Sequence, residues 1–142
     1  RADWPHAMEQ AVLEDFARAL AGDYDAALTR FVALQALGDG QAKQVLLQLK
    51  KSLFARGRPD ARALEFGLKI LLDTDMRGRM AAVAQPVMIF HGDRDTLTPL
   101  AAAEYLRHAL PNAQLAVMRG AAHVPFVADA PGFSVQLTEF FL

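Results

Sequence analysis

The stretch PVMIFHGDRDTLTP, residues 86–99, decides the fold of this chain. It begins with a short apolar run, Val87 to Phe90, of the kind found in parallel strands that are buried on both faces. A second run of this kind, Leu115 to Met118, is followed by the stretch GAAHVPF, residues 120–126. We therefore expect two buried strands, each ending in a loop that carries polar residues.

A helix is predicted after each strand. Thr98 is a good cap and Pro99 a good first residue for a helix over Leu100 to Leu110. After the second strand, Asp129 can cap a last helix. The apolar face of this last helix comprises Phe133, Leu137, Phe140 and Phe141. The order strand, helix, strand, helix implies two parallel strands joined by a right-handed crossover.

Polar residues follow both strands. One loop carries Asp93 and Asp95, and the other carries His123. Because parallel neighbours end at the same edge of a sheet, these loops should emerge side by side. A carboxylate that accepts from one imidazole nitrogen fixes the tautomer and stabilises the imidazolium that forms when the other nitrogen takes a proton. Each residue alone is more typical of a turn or a packed side chain, but together they predict the acid and base of a catalytic site.

The remaining histidines are interpreted as non-catalytic. His91 is adjacent to the first strand and is assigned a structural role, whereas His6 and His108 are expected on exposed helix surfaces. No two histidines have metal-ligand spacing together with a carboxylate, so the sequence predicts no metal site.

The first 75 residues predict four short amphipathic helices, because apolar residues recur three and four positions apart. The predicted helix boundaries are Asp3-Trp4-Pro5, Gly22, Gly38, a cap at Asp39, and a start at Pro59. The residues expected on their buried faces are Met8, Val12, Phe16, Leu20, Leu28, Phe31, Val32, Leu34, Val45, Leu46, Leu49, Leu53, Ala61, Leu64, Leu68 and Leu71. The chain is therefore assigned to the α/β class, with a helical region at 1–78 and a β-α-β-α region at 79–142.

Composition argues against several classes of function. The chain has 142 residues, 53% of them apolar, which suits one domain with a sizeable core. A net charge of −1 argues against nucleic acid as a partner, and the absence of cysteine excludes a thiolate nucleophile. No apolar run approaches the length of a membrane span. We therefore expect a cytoplasmic protein that binds neither nucleic acid nor membrane.

These motifs resemble the C-terminal third of α/β-hydrolase fold enzymes. The resemblance lies in DMRGRMAAVAQPVMIFHGDRDTLTP, followed by AAHVPF and a terminal amphipathic helix. In that family a G-x-x-D-x-x-x-P pattern carries the triad acid, and Gly92, Asp95 and Pro99 match it. The resemblance implies that Asp95 is the triad acid, with Asp93 its neighbour, and that His123 is the general base. It implies no cofactor.

The helical half resembles the cap, or lid, of the BioH family of biotin-pathway esterases, which cleave the methyl ester of pimeloyl groups on acyl carrier protein. The similar stretches are RADWP, TRFVALQALG, LKK and LEFGLKILLDTDMR. The resemblance implies that Phe31 faces an acyl channel. It also implies that basic lid residues meet the acidic carrier, the candidates being Arg30, Lys43, Lys50 and Lys51. From spacing alone, Phe31 could equally be a core residue. The lysines could equally form a solvated helix face.

The nucleophile of that family, a serine in a G-x-S-x-G elbow, has no counterpart in this sequence. The serines are Ser52 and Ser134, and neither is flanked by glycines. We therefore expect the chain to correspond to the lid and the last two strand and helix units of a larger enzyme, and to lack esterase activity alone. The strand at Val87 to Phe90 should then pair with a missing N-terminal half or with a second copy.

Two alternative functions stay open. The chain could be a binding or assembly module derived from a hydrolase, in which the aspartate and histidine are relics. It could also belong to a hydrolase with another substrate, because related lids serve other carboxylesterases and carbon–carbon bond hydrolases.

Overall fold

The computed structural model describes residues 4–6, 8, 10–55, 57 and 60–142. Within them the elements in chain order are α1 (Gln10–Gly22), α2 (Tyr24–Gln35), α3 (Ala42–Phe54), α4 (Ala61–Asp73), a 3-10 helix (Arg77–Ala82), β1 (Val87–Gly92), α5 (Leu100–Ala109), β2 (Ala113–Met118), α6 (Pro125–Ala128) and α7 (Ala130–Phe141). The predicted order of a helical half followed by two strand and helix units is confirmed. The 3-10 helix and α6 were not predicted. Asp3 and Pro59, two expected helix boundaries, lie outside the described residues.

The two strands pair in parallel, as the sequence predicts. Residues Val87–Gly92 align one by one with Ala113–Met118. Helix α7 packs on β1, where the rings of Phe133 and Phe90 lie 4.5 Å apart between centroids. Among the described residues β1 pairs only with β2, so its other edge has no backbone partner there.

Most strand residues are half-buried, so the expectation of strands buried on both faces is wrong. Of the strand residues, Gly92 and Met118 at the carboxyl ends are buried, while Val117 is 42% exposed. Two strands contacted by α5 and by the helices after β2 are too few elements to cover both faces of the sheet. Burial is instead concentrated where the two strands end and their loops meet.

The helical half is built as its apolar spacing predicts. Helix α1 packs against α2 and α4, and α2 packs against α3. Phe16 of α1 stacks on Phe31 of α2 with ring centroids 4.7 Å apart. Asp23 and Asp60 cap α2 and α4, each accepting a backbone N–H from the first turn. Helix α3 also packs on α6, in the second half of the chain.

Several apolar residues expected to be buried are exposed. Val12, Leu71 and Phe141 are 41%, 69% and 76% exposed. Helix α4 illustrates the reason: α1 is the main element packed on it, so it buries Leu68 but leaves the flank of its apolar stripe uncovered. Phe141 is the last residue of α7. Helices α1, α4 and α7 therefore bury narrower faces than their spacing suggested.

Two predicted helix caps are wrong. Helix α5 begins at Leu100 with Pro99 in the cap position, and no side chain caps it. Helix α3 begins at Ala42, again without a side-chain cap. The Asp39 carboxylate, predicted to cap α3, accepts the N–H of Gln41 just before that helix and the N–H of Ala122 in the loop after β2. Thr98, predicted to cap α5, contributes its backbone N–H to the turn after β1, where it donates to the Asp95 carboxylate.

Candidate functional site

The loops that follow β1 and β2 are joined by hydrogen bonds that continue beyond the sheet. The backbone N–H of Asp93 donates to the Met118 carbonyl at 3.3 Å, and that of Arg94 to the Ala121 carbonyl at 3.0 Å. The Asp93 carboxylate accepts the N–H of Gly120 at 2.6 Å. Gly120 has a φ of 78°, a left-handed conformation that favours glycine. The first residues of the loop after β2 are therefore hydrogen-bonded to the loop after β1.

Gly92 makes this close approach possible. It is the last residue of β1 and is buried. A Cβ atom at this position would overlap the carbonyl oxygens of Ala121 and Ala122. Only glycine leaves room for the second loop, so the glycine that opens the G-x-x-D pattern is required by packing between the loops.

The Asp95 carboxylate is bound on three sides. One oxygen accepts the N–H groups of Leu97 and Thr98 at 2.8 and 2.9 Å. The other accepts from Nδ1 of His123 at 2.8 Å, and the Asp95 side chain is 3% exposed. Burial raises the pKa of the Asp95 carboxyl, but the hydrogen bonds from His123, Thr98 and Leu97 lower it further, so the pKa lies below its ordinary value of 3.8. The group is therefore an ionised carboxylate at neutral pH.

The state of His123 follows from that charge. An ionised carboxylate only accepts hydrogen bonds, so Nδ1 of His123 carries a proton, and in the neutral ring Nε2 is then the acceptor. Within the described part of the chain Nε2 has no hydrogen-bond partner, and the side chain is 34% exposed. This is the tautomer and accessibility that a general base needs to take a proton from a hydroxyl group.

His91 lies closer to the acid than its structural interpretation suggested. Its Nε2 donates to the Thr98 carbonyl at 2.8 Å and lies 3.6 Å from the nearer oxygen of Asp95. The carboxylate therefore lies between two imidazole rings, and His91 also fixes the turn that supplies the Thr98 N–H. The sequence signal for this proximity was the position of His91 four residues before Asp95. His108 is exposed, whereas His6 lies in a turn and not on the expected helix.

The structure places Phe31 beside both loops. Phe31 and Arg30 line a cavity of about 120 Å³ with Leu97, whose N–H binds Asp95. Phe31 also lines a second, almost wholly apolar cavity of about 430 Å³ that extends to Val124, the residue after His123. One cavity beside Phe31 thus reaches the loop that carries Asp95, and the other reaches the residue after His123.

The structure does not place the candidate lysines next to Asp95 and His123. Lys43, Lys50 and Lys51 lie on α3, where Lys43 and Lys51 are exposed and Lys50 is half-buried. The serines are engaged elsewhere: Ser52 is exposed on α3, and the Ser134 hydroxyl donates to the Ala130 carbonyl within α7. Neither serine hydrogen-bonds to His123.

Among the described residues, no group of three or more acidic, histidine or cysteine side chains could hold a metal ion. None of the helices in that part of the chain combines the length and apolarity needed to cross a bilayer.

Several known proteins, each about twice as long as this chain, are similar to it. A pimeloyl-[acyl-carrier protein] methyl ester esterase of Nitrosomonas europaea is 40% identical over 128 residues, which cover 90% of this chain and 51% of that protein. The protein of the same name from Nitrosospira multiformis is 34% identical over 140 residues, 99% of this chain and 53% of its own length. The structure of an esterase from Exiguobacterium antarcticum aligns with a TM-score of 0.82 at 18% identity, over 99% of this chain and 51% of that one.

The chain therefore spans about half the length of the curated relatives it matches. Its match to the alpha/beta hydrolase fold family extends over residues 4–130, which includes helices α1 to α4, both strands, Asp95 and His123. The shared fold and the long family match confirm the resemblance that the strand and loop motifs indicated. The chain belongs to the alpha/beta hydrolase fold family.

Proposed function

We propose that this chain supplies the acid, the base and the lid of a serine carboxylesterase. The observation that carries the proposal is the 2.8 Å hydrogen bond from His123 to the buried Asp95 carboxylate, at the matching ends of two parallel strands. The esterase names of its relatives favour ester hydrolysis among the reactions that such a pair supports.

In this reaction Nε2 of His123 takes the proton of a serine hydroxyl as its oxygen attacks the ester carbonyl. Asp95 stabilises the imidazolium that results, and His123 then returns the proton to the departing alkoxide. No serine of the 142 residues lies in a G-x-S-x-G elbow, so we propose that the nucleophile and the donors for the oxyanion come from another polypeptide segment.

The proposed substrate is the methyl ester of an acyl chain carried by acyl carrier protein, as the names of the relatives indicate. The apolar cavity beside Phe31 and Val124 has the chemistry to hold a methylene chain next to the base. Arg30 lines the neighbouring cavity, and the exposed Lys43 and Lys51 provide positive charge on the lid. Lys50 is half-buried and is the weaker candidate for contact with the acidic carrier.

We propose that residues 1–78 form the lid and residues 79–142 form part of the hydrolase core. The unpaired edge of β1 would then bind the rest of that core by adding a strand. In the absence of that segment, the same edge would pair with a second copy of the chain.

Esterase activity tests the proposal directly. In a chimera, this chain replaces the matching half of the Nitrosomonas europaea relative, so that the other half supplies the nucleophile. The chimera should hydrolyse a short-chain ester, and His123→Ala should lower kcat by roughly 10⁴-fold because the base is lost. The isolated chain should show no such activity and should self-associate in light scattering, whereas the chimera should be monomeric.

His108→Ala is the matched control, because His108 is an exposed histidine on α5. It should leave kcat unchanged. A folded chimera without esterase activity would favour the interaction module, and turnover by the isolated chain that His123→Ala abolishes would contradict the need for another segment.

A second prediction concerns stability and pH. Because the pKa of Asp95 lies below 3.8 in the folded chain, ionised Asp95 stabilises the fold fully above the unfolded-state pKa, and this contribution is lost as the pH falls through the lower folded pKa. Asp95→Asn should therefore destabilise the chain by about 1–3 kcal/mol at neutral pH and by less in acid. Urea unfolding between about pH 7 and pH 2 measures the difference. A difference that stays constant over this range would refute the assignment.

A third prediction concerns the carrier. In the active chimera, Lys43→Glu should raise KM for a carrier-linked ester several-fold, with a smaller effect at high salt, and should leave KM for a free short ester unchanged. Lys69→Glu is the control, because Lys69 is an exposed lysine on α4 that is bound to Asp73 at 2.7 Å. Equal effects of the two substitutions would argue against carrier binding by α3.

A further inference from the structure

The loop between α2 and α3 is bound to the loop that carries His123. The N–H of His123 itself donates to the Gln35 carbonyl at 3.3 Å, and the N–H of Gly40 donates to the Gly120 carbonyl at 2.8 Å. The N–H of Ala122 donates to the Asp39 carboxylate at 2.8 Å. The lid therefore binds the histidine loop at three of the four positions from residue 120 to residue 123.

Asp39 is the unusual member of this contact. It is 8% exposed, and Gln35, which belongs to the same contact, is also buried. Burying a carboxylate is costly unless hydrogen bonds compensate for the lost solvation. Both oxygens of Asp39 are used: one accepts the N–H of Gln41 at 2.7 Å and the other accepts the N–H of Ala122. One group thus fixes the lid loop and the histidine loop together.

From this arrangement we infer that Asp39 is a positioning residue for His123, an inference that rests on the proposed role of His123 as the base. Ala122 is 1% exposed, so its N–H has no access to water and needs a protein acceptor. That N–H belongs to the Ala121–Ala122 peptide group, one peptide before the bond to His123. Fixing that N–H fixes the backbone from which the His123 side chain extends. The 2.8 Å hydrogen bond from Nδ1 to Asp95 requires this backbone position.

The chemistry of the side chain accounts for the use of aspartate at this position. A carboxylate offers two acceptor oxygens, one for each loop, whereas an asparagine amide offers one acceptor and one donor group. In Asp39→Asn an NH₂ group would face one of the two backbone N–H groups. The lid loop and the histidine loop would then lose one of the bonds that hold them in register.

The test measures the tautomer of the His123 ring by nitrogen NMR on the 142-residue chain. In the unmodified chain the ring should be held with its proton on Nδ1. Asp39→Asn should shift the tautomer ratio toward the Nε2–H form by roughly tenfold, because loss of one hydrogen bond loosens the contact with Asp95. Asp23→Asn is the control, since Asp23 is an aspartate that caps α2 and makes its cap bond to Ala26 instead of the histidine loop.

A purely structural role gives a different result. If Asp39→Asn lowers the melting temperature but leaves the His123 tautomer ratio as it is in Asp23→Asn, the inference is overturned. In the chimera, the same substitution should lower kcat roughly tenfold with KM for a free ester unchanged; a change confined to KM would also overturn it. The NMR measurement requires no nucleophile, so an inactive chimera would defeat the proposed function and leave the positioning role to be decided by the tautomer ratio.

Discussion

The hydrogen bond between the Asp95 carboxylate and Nδ1 of His123 is the interaction on which the candidate site depends. Its two residues lie 28 positions apart in the chain and meet because β1 and β2 are parallel and end at the same edge. Gly92 is a second requirement, since any side chain there would push the histidine loop away. The site is therefore built by the pairing of two short strands and by the absence of one Cβ atom.

Burial and hydrogen bonding oppose each other at Asp95, and hydrogen bonding prevails. Removing a carboxylate from water favours its neutral form, which would leave His123 without a charged partner. Two backbone N–H groups and the imidazole compensate for the lost solvation, and the pKa of Asp95 ends below its ordinary value. At Asp39, two backbone N–H groups also bind a buried carboxylate. In both cases backbone donors compensate for the burial of an acidic side chain.

The sequence was most informative where local pattern and topology agree. The apolar runs gave the two strands, and their parallel order placed Asp93, Asp95 and His123 at one edge. The residue pattern alone did not choose between the aspartates; in the structure Asp93 binds the Gly120 N–H and Asp95 binds the ring. Resemblance to a family supplied that choice, and the observed contacts agree with it.

Several of the remaining differences come from contacts with residues that are distant in the chain. Asp39 has the local chemistry of a helix cap, but one of its carboxylate oxygens binds the N–H of Ala122, which only the fold brings close. Helix α5 simply begins one residue later than predicted, with Pro99 in the cap position. Exposure of Leu71 and Val117 likewise depends on how many elements surround each face, which spacing along the chain does not specify. The identity of helices and strands is thus determined largely by local sequence. Burial, and the approach of the loop between α2 and α3 to His123, depend on tertiary contacts.

The most direct measurement of the central claim is the protonation of the two His123 ring nitrogens, observed by nitrogen NMR at neutral pH in the unmodified chain. The account predicts a single tautomer, with the proton on Nδ1 donated to Asp95 and Nε2 unprotonated. A ring that carries its proton on Nε2, or that averages between the two tautomers, would contradict it.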